Sequence, residues 1–91
     1  MDVDIENGQI EAQLKELIIS ELNLEDFTPA DMDSDDILFG EKFGLDSIDA
    51  VEVVYLVEKH FGVAMKDMSE ARPALTSVRT LAAFIKERQA A

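Results

Sequence analysis

Residues 47–61 read SIDAVEVVYLVEKHF, and whether this stretch is a strand or a helix decides the fold. Val51, Val53, Val54 and Val57 are β-branched and favour a strand by propensity. Length and punctuation point the other way. The run is too long for an ordinary strand, Asp46 stands three residues before Asp49 in a capping arrangement, and Gly62 follows as a stop. A helix is therefore expected. On its wheel Ala50, Val53, Val54, Val57 and Phe61 share one face, the one turned to a core. The opposite face carries Ile48, Glu52, Tyr55 and Lys59, with Val51 on its edge, so apolar groups stand in water among charges. Scattered surface apolar residues are ordinary, and this face alone does not establish a partner.

On the amino-terminal side, Ile10, Leu14, Leu17, Ile18 and Leu22 recur at helical spacing with charged residues between them, which predicts an amphipathic helix over residues 6–22. Residues 23–45 lose that period and form a long loop, pinned to the core by Phe27, Ile37, Leu38, Phe39 and Phe43. Thr28, Pro29 and Asp31 can start one short helical turn within it. So long an ordered loop in a small domain tends to be functional or to precede a functional element.

On the carboxyl-terminal side, Val63 and Met65 plug the core, residues 66–71 make a short helix, and Pro73 limits it. Thr76 or Ser77 caps a last helix with Val78, Leu81, Ala82 and Ile85 along one side, and Lys86 and Arg88 near its end complement the dipole. The expected fold is all-α: a small four-helix bundle of three main helices and one short one, with a long loop between the first two. Residues 1–91 read as a single domain, expected to be a monomer.

Composition bounds the function. The chain has 91 residues, 47% hydrophobic and 31% charged, and no stretch approaches the roughly 18 apolar residues of a membrane span. It lacks cysteine, which excludes disulfides, thiolate metal sites and a cysteine nucleophile; any thiol chemistry needs a borrowed sulfur. The start, MDVDIENG, is acidic and reads as neither a secretory signal nor a transit peptide, so cytoplasmic residence is expected. Net charge is −12, divided as −15 over residues 1–58 and +3 over 59–91. Such a field repels nucleic acid and anionic lipid and steers proteins with basic patches toward it.

Ser47, between Asp46 and Asp49, is suited to three roles: nucleophile, helix cap or attachment point. Hydrolytic catalysis needs a base in reach, and the only histidine, His60, stands 13 residues along the same helix, roughly 20 Å away at 1.5 Å per residue. No dyad forms. The run DMDSDD at residues 31–36 imitates a calcium loop at Asp31, Asp33 and Asp35. It fails where the turn wants glycine, at Asp36, and where a glutamate should close the shell, at Lys42. No metal site is expected. A helix amino terminus does orient a phosphate linked to its first hydroxyl. A serine beside a capping aspartate is commonplace, however, and by itself does not decide the matter.

The stretch FGLDSIDAVEVVYLVEKHFGV, residues 43–63, resembles the modification-site helix of acyl carrier proteins. The family's Asp-Ser-Leu triplet appears as Asp46, Ser47 and Ile48, followed by Asp49, Val51, Glu52 and a closing Phe61. The layout of nearly the whole chain agrees. The resemblance implies that a separate phosphopantetheinyl transferase joins 4′-phosphopantetheine to Ser47, and that acyl groups ride on its thiol as thioesters. The chain would then be a freestanding carrier without catalytic activity, serving fatty-acid or polyketide-like biosynthesis. Aminoacyl carriers of the peptidyl or D-alanyl kind share fold and serine and are one alternative; the other is an unmodified acidic helical interaction or calcium-binding module in which Ser47 is a mere cap.

By the same resemblance Asp46, Ile48, Asp49, Val51, Glu52, Tyr55 and Glu58 form the docking surface for basic patches on the transferase, ketosynthases and acyltransferase or acyl-ligase enzymes. Val53, Val54, Val57, Phe61, Leu81 and Ile85 would line an acyl-chain cavity. Ile48 in place of leucine, and Lys59 and His60 where the helix is often acidic, imply a specialised member.

Overall fold

A computed structural model describes residues 2–65 and 67–90, and in it the valine-rich stretch is a helix. Four α-helices follow one another: α1 (Asp2–Glu21), α2 (Ser47–Phe61), α3 (Met68–Ala74) and α4 (Val78–Ala90). No strand occurs among the described residues, and none of their helices is long and apolar enough to cross a membrane.

α2 forms against the β preference of its valines because both ends are chemically closed. The Asp46 carboxylate accepts from the N–H groups of Ile48 (3.0 Å) and Asp49 (3.2 Å), while the Asp49 carboxylate accepts from the Asp46 N–H (3.0 Å). At the other end Gly62 takes a left-handed φ of 69°, where a side chain would be strained, and its N–H bonds the Glu58 carbonyl. Gln89 of α4 adds a bond to the Phe61 carbonyl, one of the last-turn acceptors a helix leaves open, at 3.1 Å.

α1 extends four residues further toward the amino terminus than its periodicity indicated, since the pattern begins only where apolar side chains do. It closes one residue earlier, where Asn23 adopts a positive φ of 56° and Leu24 N–H bonds the Ile19 carbonyl in a Schellman-type turn. α3 departs more from expectation. It runs to Ala74 with Pro73 inside its last turn, and Asp67 caps it by accepting from Glu70 N–H. Pro73 is tolerated because the bond it cannot donate would have gone to Ser69, which is exposed and open to water. Lys66, the expected first residue of this helix, lies outside the described residues. At α4, Ser77 is the cap: its N–H donates to the Thr80 hydroxyl at 2.9 Å, and Thr80 N–H returns a bond to the Ser77 hydroxyl.

The core draws on every segment. Leu14 and Ile18 of α1, Ala50, Val53, Leu56 and Val57 of α2, and Val78, Leu81, Ala82 and Ile85 of α4 are buried, joined by Val63 and Met65. α1 packs on α4, and α4 on α3. The inward face of α2 is rotated from the expected one: Leu56 is buried, whereas Val54 and Phe61 are only half-buried against the core. Both edges of the apolar stripe are hydrophobic, so periodicity could not choose between Val54 and Leu56, and packing did.

The long loop is anchored differently as well. Met32, Leu38, Phe43 and Leu45 are buried, Phe27 stands edge-on to Phe43 at 5.0 Å, and Phe39 is half-buried. Ile37, expected as an anchor, is 63% exposed because the Leu38 N–H is drawn to the Thr76 carbonyl and turns its neighbour outward. Further ties fasten the loop. Arg79 N–H donates to the Ser34 carbonyl, the Arg79 guanidinium grips Asp35, Lys42 pairs with Asp36 at 2.7 Å, and the Ser34 hydroxyl bonds Glu11. The aspartates that imitated a calcium loop are thus engaged within the fold. Among the described residues no group of three acids or histidines converges as metal ligands.

Two outcomes test these assignments. Asp46→Ala removes the α2 cap and should cost about 1 kcal/mol, lowering Tm by about 4–8 °C in thermal circular dichroism, with Asp46→Asn retaining most of the stability. Asp35 is held below its ordinary carboxylate pKa of 3.8 first by the hydrogen bond from Arg79. A depressed folded pKa contributes stability that is present above the unfolded value and lost as pH falls through the folded one. The Tm advantage of the wild type over Asp35→Asn should therefore be present at pH 6, shrink as pH falls below 3.8 and vanish once pH is below the lowered folded value, a comparison that cancels the charge repulsion shared by both proteins.

Candidate functional site

Ser47 is the first residue of α2, exposed, with its hydroxyl in no hydrogen bond among the described residues. The reason is local. Asp46 and Asp49 exchange bonds with the backbone around it and satisfy Ile48 and Asp49 N–H, so the serine is not needed as a cap. Its side chain is left pointing out of a fixed turn.

Two depressions meet at this residue. The inner one is a cleft of about 430 Å³ between the loop, α2 and the α3–α4 connection. It is lined by Ile37, Phe39 and Leu45 of the loop, Asp46, Ser47 and Ala50 at the start of α2, and Arg72, Leu75 and Thr76 of α3 and the connection after it. The outer one is a shallow groove along the exposed face of α2, lined by Ser47, Ile48, Val51, Glu52, Tyr55 and Arg72. Ile48, Val51 and Tyr55 are 77%, 61% and 54% exposed, so this apolar strip lies open to solvent. Lys59 Nζ stands 5.8 Å over the Tyr55 ring and Glu58 is exposed on the next turn. His60 faces the other way, into a groove shared with Gln13, Glu16 and Ser20 of α1.

Of the residues expected at the surface, Ile48, Val51, Glu52 and Tyr55 line the outer groove with Ser47 and Asp46 lines the inner cleft, whereas Asp49 and Glu58 lie in neither. Of those expected to line an interior cavity, Val53, Val57, Leu81 and Ile85 are at most 1% exposed in the core and Val54 and Phe61 lie at its edge; none of the six walls the inner cleft. Ala50 connects the two, since it walls the cleft and precedes Val53 and Val57 on the same helix face. The cleft's own residues were not legible as a group. Ile37 comes from the loop and Arg72 and Leu75 from beyond α2, and the Leu38–Thr76 and Arg79–Ser34 bonds bring the loop against that part of the chain.

Residues 12–85 match the family described as "Phosphopantetheine attachment site". The chain is 31% identical over 83 residues to an acyl carrier protein of Akkermansia muciniphila, covering 91% of this chain and 96% of that relative. No solved structure matches significantly. The family's cofactor is 4′-phosphopantetheine, held covalently, and its members carry substrates for other enzymes without being enzymes themselves. An all-helical bundle with an exposed serine opening its second helix, matched over most of its length to both, places this chain in the acyl carrier protein family.

Proposed function

We propose that Ser47 is the residue to which 4′-phosphopantetheine is joined, and that the chain carries acyl groups for enzymes of fatty-acid or polyketide-like biosynthesis. The observation that carries this reading is an exposed hydroxyl on a capped helix start, unbonded among the described residues and lining an apolar cleft. The residues present suit the group. The helix amino terminus favours a phosphodiester, and the Arg72 guanidinium shares both depressions with Ser47. When bound, the arm supplies the thiol on which thioesters form, a sulfur this cysteine-free chain lacks.

The cleft's lining of Ile37, Phe39, Leu45 and Leu75 favours hydrocarbon cargo over an aminoacyl group, whose ammonium would lose hydration there. An acyl chain entering past Ala50 would next meet Val53 and Val57, with Leu81 and Ile85 behind, once these close-packed side chains separate. The outer face is the docking surface: Ile48, Val51 and Tyr55 supply the apolar centre, and Asp46, Asp49, Glu52 and Glu58 the charge that steers basic partners. Phosphopantetheinyl transferase, ketosynthase and acyltransferase or ligase enzymes are the partners this surface suits, in the cytoplasm.

Incubation with a broad-specificity phosphopantetheinyl transferase and coenzyme A should add the mass of one phosphopantetheine to the wild type and none to Ser47→Ala. A gain that persists without the hydroxyl would place the arm elsewhere. For docking, Glu52→Lys is a cleaner probe than reversal at Asp49, whose carboxylate also closes the capping box. It should lower kcat/KM for loading about three- to tenfold at low salt, with the difference shrinking at high ionic strength and Tm unchanged.

A further inference from the structure

Arg72 is out of keeping with its surroundings. The face around Ser47 is acidic, with Asp46 and Asp49 on the same turn and Glu52 along the groove, yet both depressions that meet at the serine include this one arginine in their walls. Its guanidinium is exposed and makes no ion pair among the described residues. Other basic side chains are committed: Arg79 to Asp35, Lys42 to Asp36, and Arg88 to Glu70. Arg72 also stands on α3, a different element from the helix that bears Ser47, and lines both depressions together with it. Arg72 is thus left beside the serine without an ion pair among the described residues.

We infer that Arg72 is a positioning residue that binds the phosphodiester of the Ser47-linked arm and thereby sets whether the arm lies in the inner cleft or along the outer groove. The inference rests on Ser47 being the attachment site. Serine-linked phosphodiester carries one negative charge between two carboxylates, and without a counter-charge it would be pushed into solvent. A guanidinium fork matches two phosphate oxygens at once, which an ammonium does not. Because Arg72 borders both depressions, the arm leaves it in one of two directions. One runs between Ile37 and Leu75 into the cleft, sheltering the cargo; the other runs along Ile48, Val51 and Tyr55, presenting it. A partner that offers its own cation to the phosphate competes with Arg72 and releases the arm.

The test uses wild type, R72Q and R72K proteins loaded to completion with coenzyme A and checked by intact mass. Two readouts that do not depend on any enzyme's turnover follow: the ³¹P resonance of the phosphodiester, and water exchange of the Arg72 Nε–H. In the wild type at low salt, loading should slow Nε–H exchange about two- to fivefold, the range expected for one exposed ion pair. The ³¹P resonance should differ between wild type and R72Q, with R72K between them, and the difference should disappear in concentrated sodium chloride. Unchanged Nε–H exchange on loading, or coincident ³¹P resonances in wild type and R72Q at low salt, would overturn the role of Arg72. Failure of the wild type to gain mass would instead overturn the attachment reading, and this inference with it.

Discussion

A helix cannot pair the N–H groups of its own first turn, and the way α2 solves this determines the rest of the site. Asp46 and Asp49 exchange bonds with the backbone on either side of Ser47 and do so without the serine's help. The hydroxyl is thereby held in a fixed position and kept chemically free. Had Ser47 been the cap, its oxygen would have been turned back on the helix and unavailable for attachment. The same aspartates put negative charge at the helix start, where the dipole accepts it, and leave that charge on the surface. One local arrangement thus serves stability, exposure of the serine and the electrostatic character of its surroundings.

What makes a cleft of the neighbouring space is the fastening of the long loop. Leu38 and Ser34 bond the backbone at Thr76 and Arg79, Arg79 grips Asp35, and buried Met32, Leu38, Phe43 and Leu45 fix the loop from beneath. These ties spend the loop's aspartates on internal pairing and turn Ile37 out toward the cleft. Exposed pairs of this kind contribute little one by one. Several on one short segment, with four side chains buried under it, hold a loop that would otherwise have no period to order it.

The uneven charge has the same logic. Acid accumulates in residues 1–58, which include the serine and its helix start, while the smaller basic excess lies in residues 59–91. Arg72, Arg79 and Arg88 are all in that basic part, and two of them are bound to carboxylates within the fold. Arg72 alone of these three is brought beside the serine, which makes its surroundings locally mixed in a field that is negative overall.

The sequence by itself determined the helical class, the four-helix order, the long first connection, the α2 cap and the prominence of Ser47. Each of these is local: capping spacing, helical periodicity and a stop glycine act within one or two turns, so residues 43–63 were sufficient to identify the family resemblance. Periodicity could not distinguish Val54 from Leu56, because both edges of the stripe are apolar, nor allow Pro73 inside α3, because that depends on Ser69 being exposed one turn earlier. Only the tertiary structure decided which loop side chains are buried and that Ile37, Arg72 and Leu75 share a cleft with the serine. Those relations join segments far apart in the chain through backbone bonds such as Leu38 to Thr76, and a bond of that kind leaves no periodic trace in the residues it connects.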